Sequence, residues 1–464
     1  MAVQVTVEPV RVLGFVTHAP RPDGVDALIE EAFSWGVDVV AAQGTSTDWG
    51  PYWLGSGRQI DTVTNLKENI RPYLRAAIAH RVPFVFSVGL AGADVHLDEC
   101  LERVDEICSE EGWDLDIATI SGEISPDFLR KSLESGTEIP AAYDDPSLAP
   151  LLSGTEVDES IRVVGLLGPE PIMDALRSGV DGVITGRALD IGLHMALPML
   201  RGVPRHVAAH AGKVLECGGL ACESGSASLP VWAELDDAGF TVRSVKTSAP
   251  ATPRSIAAHG FYERSNPWFE TNPGGVLDLT DVVYTEVGPG AVRCEGARWI
   301  DAPYSVLIEG AKLLGYRTTV VATASDPTFI QNVNQIVAAM HEVVEASPQL
   351  KGRKLGTDFD LQVRVFGGAQ NADTPGDHEV ALVVDAVATS QALSDQVAFL
   401  GYSHIHATHY PGRLATAGNL SFAYMPILQQ LGEVYAFSIY HILPLEDPSA
   451  PFVTTRRRFP RTGS

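Results

Sequence analysis

"PDGVDALIEEAFSWGVDVVAAQGTSTDWG", residues 22–50, holds one full unit of the pattern from which the first half of the chain is built. Val25, Leu28, Ile29, Ala32 and Phe33 recur at helical spacing on one face, and Gly36 stands where a helix C-cap glycine would. Residues 37–42 are then mostly apolar and β-branched, a strand of the buried kind. The chain next turns to Gly44, Thr45, Ser46, Thr47 and Asp48, followed by Trp49, Tyr52 and Trp53 among more glycines. Residues 43–57 are read as the long loop at the carboxyl end of that strand.

The same unit recurs on both sides. Short apolar runs at 10–15, 37–42, 82–88, 115–120, 162–167 and 180–185 alternate with helix-period stretches, such as Leu66, Ile70, Leu74 and Ile78, or Leu97, Leu101, Val104 and Ile107. Alternating β and α elements mean parallel strands joined by crossovers, hence an α/β fold. About six strands, rather than the eight of a closed barrel, favour an open, mostly parallel layered sheet. From about 218 to 325 glycines, prolines and short alternating runs mark a β-rich extension. "PTFIQNVNQIVAAMHEVVEA" follows as a helix, and "SPQLKGRKLGTD" has linker character, so a boundary is set near residue 350. Beyond it, "FDLQVRVFG" and "HEVALVVDAVA" alternate with period two, "SQALSDQVAFLGYSHIH" is helical and "EVYAFSIYHILPL" closes as a strand. That makes 351–464 a smaller α+β domain ending in a basic tail.

Bulk properties narrow the function classes. At 464 residues, 45% hydrophobic and 20% charged, the chain is globular and large enough for two domains. A net charge of −25 argues against nucleic acid and anionic membrane as partners, which need clustered cations. The basic cluster Arg456, Arg457, Arg458 and Arg461 is read as a solvated tail. No apolar stretch reaches a membrane span, and Glu8 and Pro9 interrupt the region where a signal peptide would be apolar, so a cytoplasmic location is expected. Five scattered cysteines fit reduced thiols and form no CxxC zinc pair.

Open parallel sheets bind ligands beyond the carboxyl ends of their strands. The loops there supply His18, Thr45, Ser46 and Asp48, then Asp94 and His96, then Glu123, then Arg187 and Asp190 in "TGRALDIG". Arg187 offers a planar fork for a carboxylate or phosphate. Asp48 or His96 is the expected proton carrier, oriented by Glu123 or Asp190. Asp48, Asp94, His96 and Glu123 are also the candidate ligands should a divalent ion be bound. A second constellation, "HAGKVLECGG", puts His210, Lys213 and Glu216 with Cys217 on one helical face, either to meet an acidic ligand or as a solvated Lys–Glu face. His404, His406 and His409 match no helical metal pair, and His441 reads as a core histidine. There is no Walker loop, and neither "GSGRQI" nor "GLLGPEP" completes a dinucleotide fingerprint, so no nucleotide cofactor is expected and the cofactor stays open.

Taken together, "DWGPYWLGSG", "GVDGVITGRALDIG", "HAGKVLECGG", "HGFYERSNPWF", "EGAKLLGYRT" and "PGRLATAGNLSFAY" resemble the acyclic terpene utilisation (AtuA) family over most of residues 10–450. The resemblance implies a large α/β domain followed by a ferredoxin-like one, and a link to breakdown of acyclic terpenoids through branched acyl-CoA thioesters. The leading expectation is an enzyme acting on a small branched carboxylate or its acyl-CoA ester by lyase or hydro-lyase acid–base chemistry, as a homo-oligomer. Two rivals stand beside it: a non-catalytic binding or assembly subunit, and a metal-dependent hydrolase.

Overall fold

The structure, a computed structural model, describes residues 7–59, 63–262, 266–367, 379–414 and 416–459. Arg461 lies outside them. The strands are β1 (Val10–Val16), β2 (Val39–Gln43), β3 (Phe84–Ser87), β4 (Leu115–Ile120), β5 (Arg162–Gly165), β6 (Gly182–Thr185), β7 (Val231–Leu235), β8 (Gly239–Ser244), β9 (Phe269–Asn272), β10 (Gly275–Asp278), β11 (Val283–Gly288), β12 (Ala291–Glu295), β13 (Arg298–Asp301), β14 (Ser305–Ala324), β15 (Phe359–Gly367), β16 (Val380–Ala388), β17 (Ser421–Phe422), β18 (Gln429–Pro444) and β19 (Thr454–Phe459).

Ten of these form one sheet, in the order β11-β12-β8-β7-β1-β2-β3-β6-β4-β19. Its centre, β1 to β4 by way of β6, is parallel. The strands on either side join antiparallel, so the sheet is α/β but mixed rather than mostly parallel. Strand alternation gives it two apolar faces. The short helix α2 (Pro51–Ser56) follows β2, and Val40, Ala42, Phe84 and Phe86 pack under α1 (Val25–Ser34), α3 (Val63–His80) and α4 (Asp94–Glu111). Val39, Ala41 and Val85 face the opposite way, toward α5 (Pro126–Glu134), α7 (Pro169–Arg177), α8 (Asp190–Leu200) and α9 (Arg205–Leu215). A second short helix, α6 (Gly154–Glu159), precedes β5, and α10 (Pro253–His259) follows β8.

Three expectations change. The run at 162–167 does not enter the parallel sheet; β5 pairs antiparallel with Ile308–Ala311 of β14. A buried Val-Val run needs a covered site on a sheet, and its composition does not say which sheet. Residues 43–57 are not all loop, because Gly50 (φ 94°) and Pro51 at the first helical position start α2. The basic tail is a strand: Arg456 and Arg458 lie in β19, and both pair with Asp116. Those guanidiniums hold the Asp116 carboxyl down at about 2.

By its internal contacts the chain divides into Met1–Lys312 with Phe437–Ser464, and Leu313–Ala436. The two breaks fall within β14 and β18, each of which runs on from one unit into the other, and residue 350 lies inside the second unit. Within the second unit α11 (Pro327–Glu345) and α12 (Gln391–Ala407) join the strands in the succession β14-α11-β15-β16-α12-β18. β14 lies between β16 and β18, with β15 on the outer side of β16. That is the fourth–first–third–second strand order of a ferredoxin-like α+β unit. Among the described residues no helix is long and apolar enough to cross a membrane.

Candidate functional site

The carboxyl edge of the parallel strands is tightly built, and glycine is what permits it. A Cβ at Gly44, just past β2, would strike the Thr17 hydroxyl and the Ser87 carbonyl. A Cβ at Gly92 (φ +67°) or Gly122 would strike the backbone nitrogen of Arg187. The loops after β2, β3, β4 and β6 therefore close on one another around Arg187, which sits between the end of β6 and the start of α8.

Arg187 is buried, and its fork is already committed. Nε donates to Glu309 Oε2 at 3.0 Å, and Nη1 donates to the Thr45 carbonyl at 2.8 Å, to the Ala188 carbonyl at 3.2 Å and to Asp190 Oδ1 at 3.4 Å. Thr47 Oγ1 donates to the other Glu309 oxygen at 2.7 Å. Glu309 is 1% exposed. Burial works against the guanidinium's charge, but Glu309, Asp190 and Asp48 outweigh it and raise its pKa. The expected gripping fork is thus a positioning residue, tying the loop after β2 to β14.

Beside this pair opens a cavity of about 520 Å³, a size typical of small-molecule sites. Asp48 borders it from the loop after β2, Asp190 from the first turn of α8, Lys213 and Glu216 from the end of α9, Phe269 and Glu270 from β9, Leu307 and Glu309 from β14, and Tyr440 from β18. Five carboxylates face two cations. Lys213 Nζ donates to Glu216 Oε1 at 2.6 Å, with both side chains buried. Burial raises the Glu216 pKa, Lys213 opposing and Asp190 and Glu270 adding to the rise. Lys213 is pulled down by burial, yet Glu216 and Glu270 carry it above its ordinary value, so it stays an ammonium. The Tyr440 hydroxyl is pushed up to about 12, by burial and then by Glu309, and remains a donor at neutral pH.

Of the residues singled out from sequence, Asp48, Asp190, Arg187, Lys213 and Glu216 meet at this cavity. Ser46 reaches it only through Asp48, donating to Oδ2 at 2.9 Å, and Thr45 only through its carbonyl on Arg187. His96 does not line it. That ring is buried, its Nδ1 accepting from Ala93 N at 3.2 Å and its Nε2 3.1 Å from the Trp53 carbonyl. Burial, then Arg162, lowers its pKa to about 4, so it is a neutral structural imidazole. Glu123 caps Asp94 N at 3.0 Å, away from the cavity, and burial raises its pKa. His18 is half-buried with a lowered pKa, and His210 packs edge-on to Phe240 at 5.0 Å; neither borders the cavity. Trp49, Tyr52 and Trp53 do not wall it either. Among the described residues Asp48, Asp94, His96 and Glu123 do not gather into a set of metal-ligating atoms. The Lys213–Glu216 pair is not a solvated face.

Glu309, Glu270 and Tyr440 were not legible as site residues. Glu309 and Tyr440 lie on strands whose partners are remote in the chain, and Glu270 lies in the local hairpin of β9 and β10. An acid on the alternating run of β14 was the available signal, since a buried glutamate demands a cation.

A family model described as acyclic terpene utilisation family protein AtuA matches residues 58–431. The chain belongs to the AtuA family. It is thereby a protein related to acyclic terpene utilisation, and Arg187, Asp190, Lys213, Glu216, Glu270 and Glu309 of this AtuA protein fall inside the matched span, while Asp48 and Tyr440 flank it. No curated protein and no solved structure matches the chain.

Proposed function

We propose that this AtuA protein is an enzyme of acyclic terpenoid breakdown, a lyase or hydro-lyase that moves a proton at the carbon beside the carbonyl of a branched acyl thioester. The carrying observation is one cavity that holds an exposed carboxylate, Asp48, with a phenol that keeps its proton, Tyr440. A five-to-two excess of carboxylates over cations, both cations already paired, repels a free carboxylate ligand. A thioester carbonyl carries no charge and fits better, which narrows the substrate from carboxylate to acyl ester.

In this reading Asp48 takes the α-proton, and the charge that develops on the carbonyl oxygen is met by the Tyr440 hydroxyl. The β-hydroxyl then leaves, Asp48 returns the proton to it, and water and an enoyl thioester result. Hydration is the reverse. Ser46 and Arg187 hold the base and its loop in place. Asp48→Asn should lower turnover of a branched hydroxyacyl or enoyl thioester at least about a hundredfold, and Tyr440→Phe by a similar factor. Unchanged turnover in both folded variants would remove the assignment.

A further inference from the structure

We propose that Glu216, Cys217 and His259 form a binding site for a divalent transition-metal ion of the zinc class. One carboxylate oxygen, Sγ and one imidazole nitrogen, one from each residue, all lie within 4.8 Å of one another. Bonds of about 2.0–2.3 Å in a tetrahedral site put ligand atoms about 3.3–3.8 Å apart. Closing the triad on an ion therefore takes side-chain shifts of about 1 Å, not backbone movement.

The three residues come from two elements brought together by packing. Glu216 caps the end of α9, Cys217 follows, and Gly218 (φ +57°) turns the chain into the 3-10 helix Gly218–Ala221. His259 is the last residue of α10. Glu216 and His259 are buried and Cys217 is half-buried. Mixed nitrogen, sulfur and oxygen donors suit zinc and its cobalt substitute, whereas magnesium and calcium take all-oxygen shells. Three protein ligands leave the fourth position that catalytic zinc sites keep for water or substrate.

Charge around the triad favours a cation. Lys213 occupies one oxygen of Glu216, and a carboxylate has a second; a ligating carboxylate that is also hydrogen-bonded is the usual outer-shell arrangement. Asp190 and Glu270 act on Glu216 as further negative charges and offset the nearby ammonium. Because Glu216 also borders the cavity, an ion held there stands at its wall. Binding exchanges the Cys217 thiol proton for a metal–sulfur bond, the proton passing to solvent.

Cobalt(II) titration of the full chain, monitored by absorption, tests the site. A thiolate-to-cobalt charge-transfer band that saturates at one equivalent is expected. Cys217→Ser should abolish the band, and His259→Gln should weaken cobalt binding at least about tenfold. His404→Gln should leave both unchanged. No band with the wild-type chain, or a band that survives Cys217→Ser, overturns the proposal. Asp48→Asn should bind cobalt normally, so failure of the metal site and failure of the proton-transfer reading are separately visible.

Discussion

Two groups of strand-end loops occupy the same edge of one sheet and differ in nearly everything else. After β2 and β6, Asp48, Arg187 and Asp190 border a cavity. After β3 and β4, His96 and Glu123 are spent on the backbone, Glu123 on the Asp94 amide and His96 between Ala93 and Trp53, while the Asp94 carboxylate takes the Ser121 hydroxyl and faces β19 rather than this cavity. Both groups have the acids and bases that catalysis uses. What separates them is what lies opposite. The first group faces β14, β18, β9 and the end of α9, which stand back far enough to leave a hollow. Within the second, α4 begins at Asp94 and draws His96 into the core. Position at a strand's carboxyl end is therefore not sufficient for a site of this kind.

The largest effect should come from the pillar of the first group. Arg187→Ala leaves the buried Glu309 carboxylate without its cation and should cost about 3–5 kcal/mol of stability in urea unfolding. The paired replacement Arg187→Met with Glu309→Leu should recover most of that loss, since an apolar pair of similar volume carries no buried charge. A single variant as stable as the parent would show that the two groups are not built differently after all.

A smaller effect should follow pH. His96 and His194 are both buried with pKa values lowered to about 4. An unfolded chain takes up their protons below about 6.5, and the folded chain does so only near 4. The unfolded state thus binds more protons across that window, so stability should rise from about pH 4 to about pH 6.5 and fall as acid is added. Thermal melts at intervals through this range measure the slope, and His96→Gln should flatten it. An unchanged slope would mean that His96 accepts a proton in the folded state, as a catalytic imidazole would.

The smallest effect belongs to the second group's acid. Glu123→Gln keeps the capping oxygen for Asp94 and should change turnover by no more than about twofold, against the hundredfold loss for Asp48→Asn. Equal losses would erase the distinction between the two groups.

Much of the architecture was present in local pattern. Helical spacing at Val25, Ile29 and Ala32 and β-branched runs such as residues 37–42 state how each segment folds and which side it buries. They do so because backbone periodicity and hydrophobic burial act over a few residues. The four-element succession after residue 350 was likewise readable, and the need for glycine at positions 44 and 92 is written into the chain even where its purpose is not.

Assembly decided the rest. Arg187 and Asp48 were identifiable as strand-end residues, yet whether the guanidinium would meet a ligand or a protein carboxylate depended on Glu309, 122 residues away. The Val163–Val164 run announced a buried strand, but only the packed chain chose β14 over the parallel sheet as its partner. Tyr440 entered the cavity from a strand that leaves one compact unit for the other. Such pairings depend on which distant surfaces are available to cover one another. That is a property of the whole packed chain, whereas the sequence states only what each segment would bury.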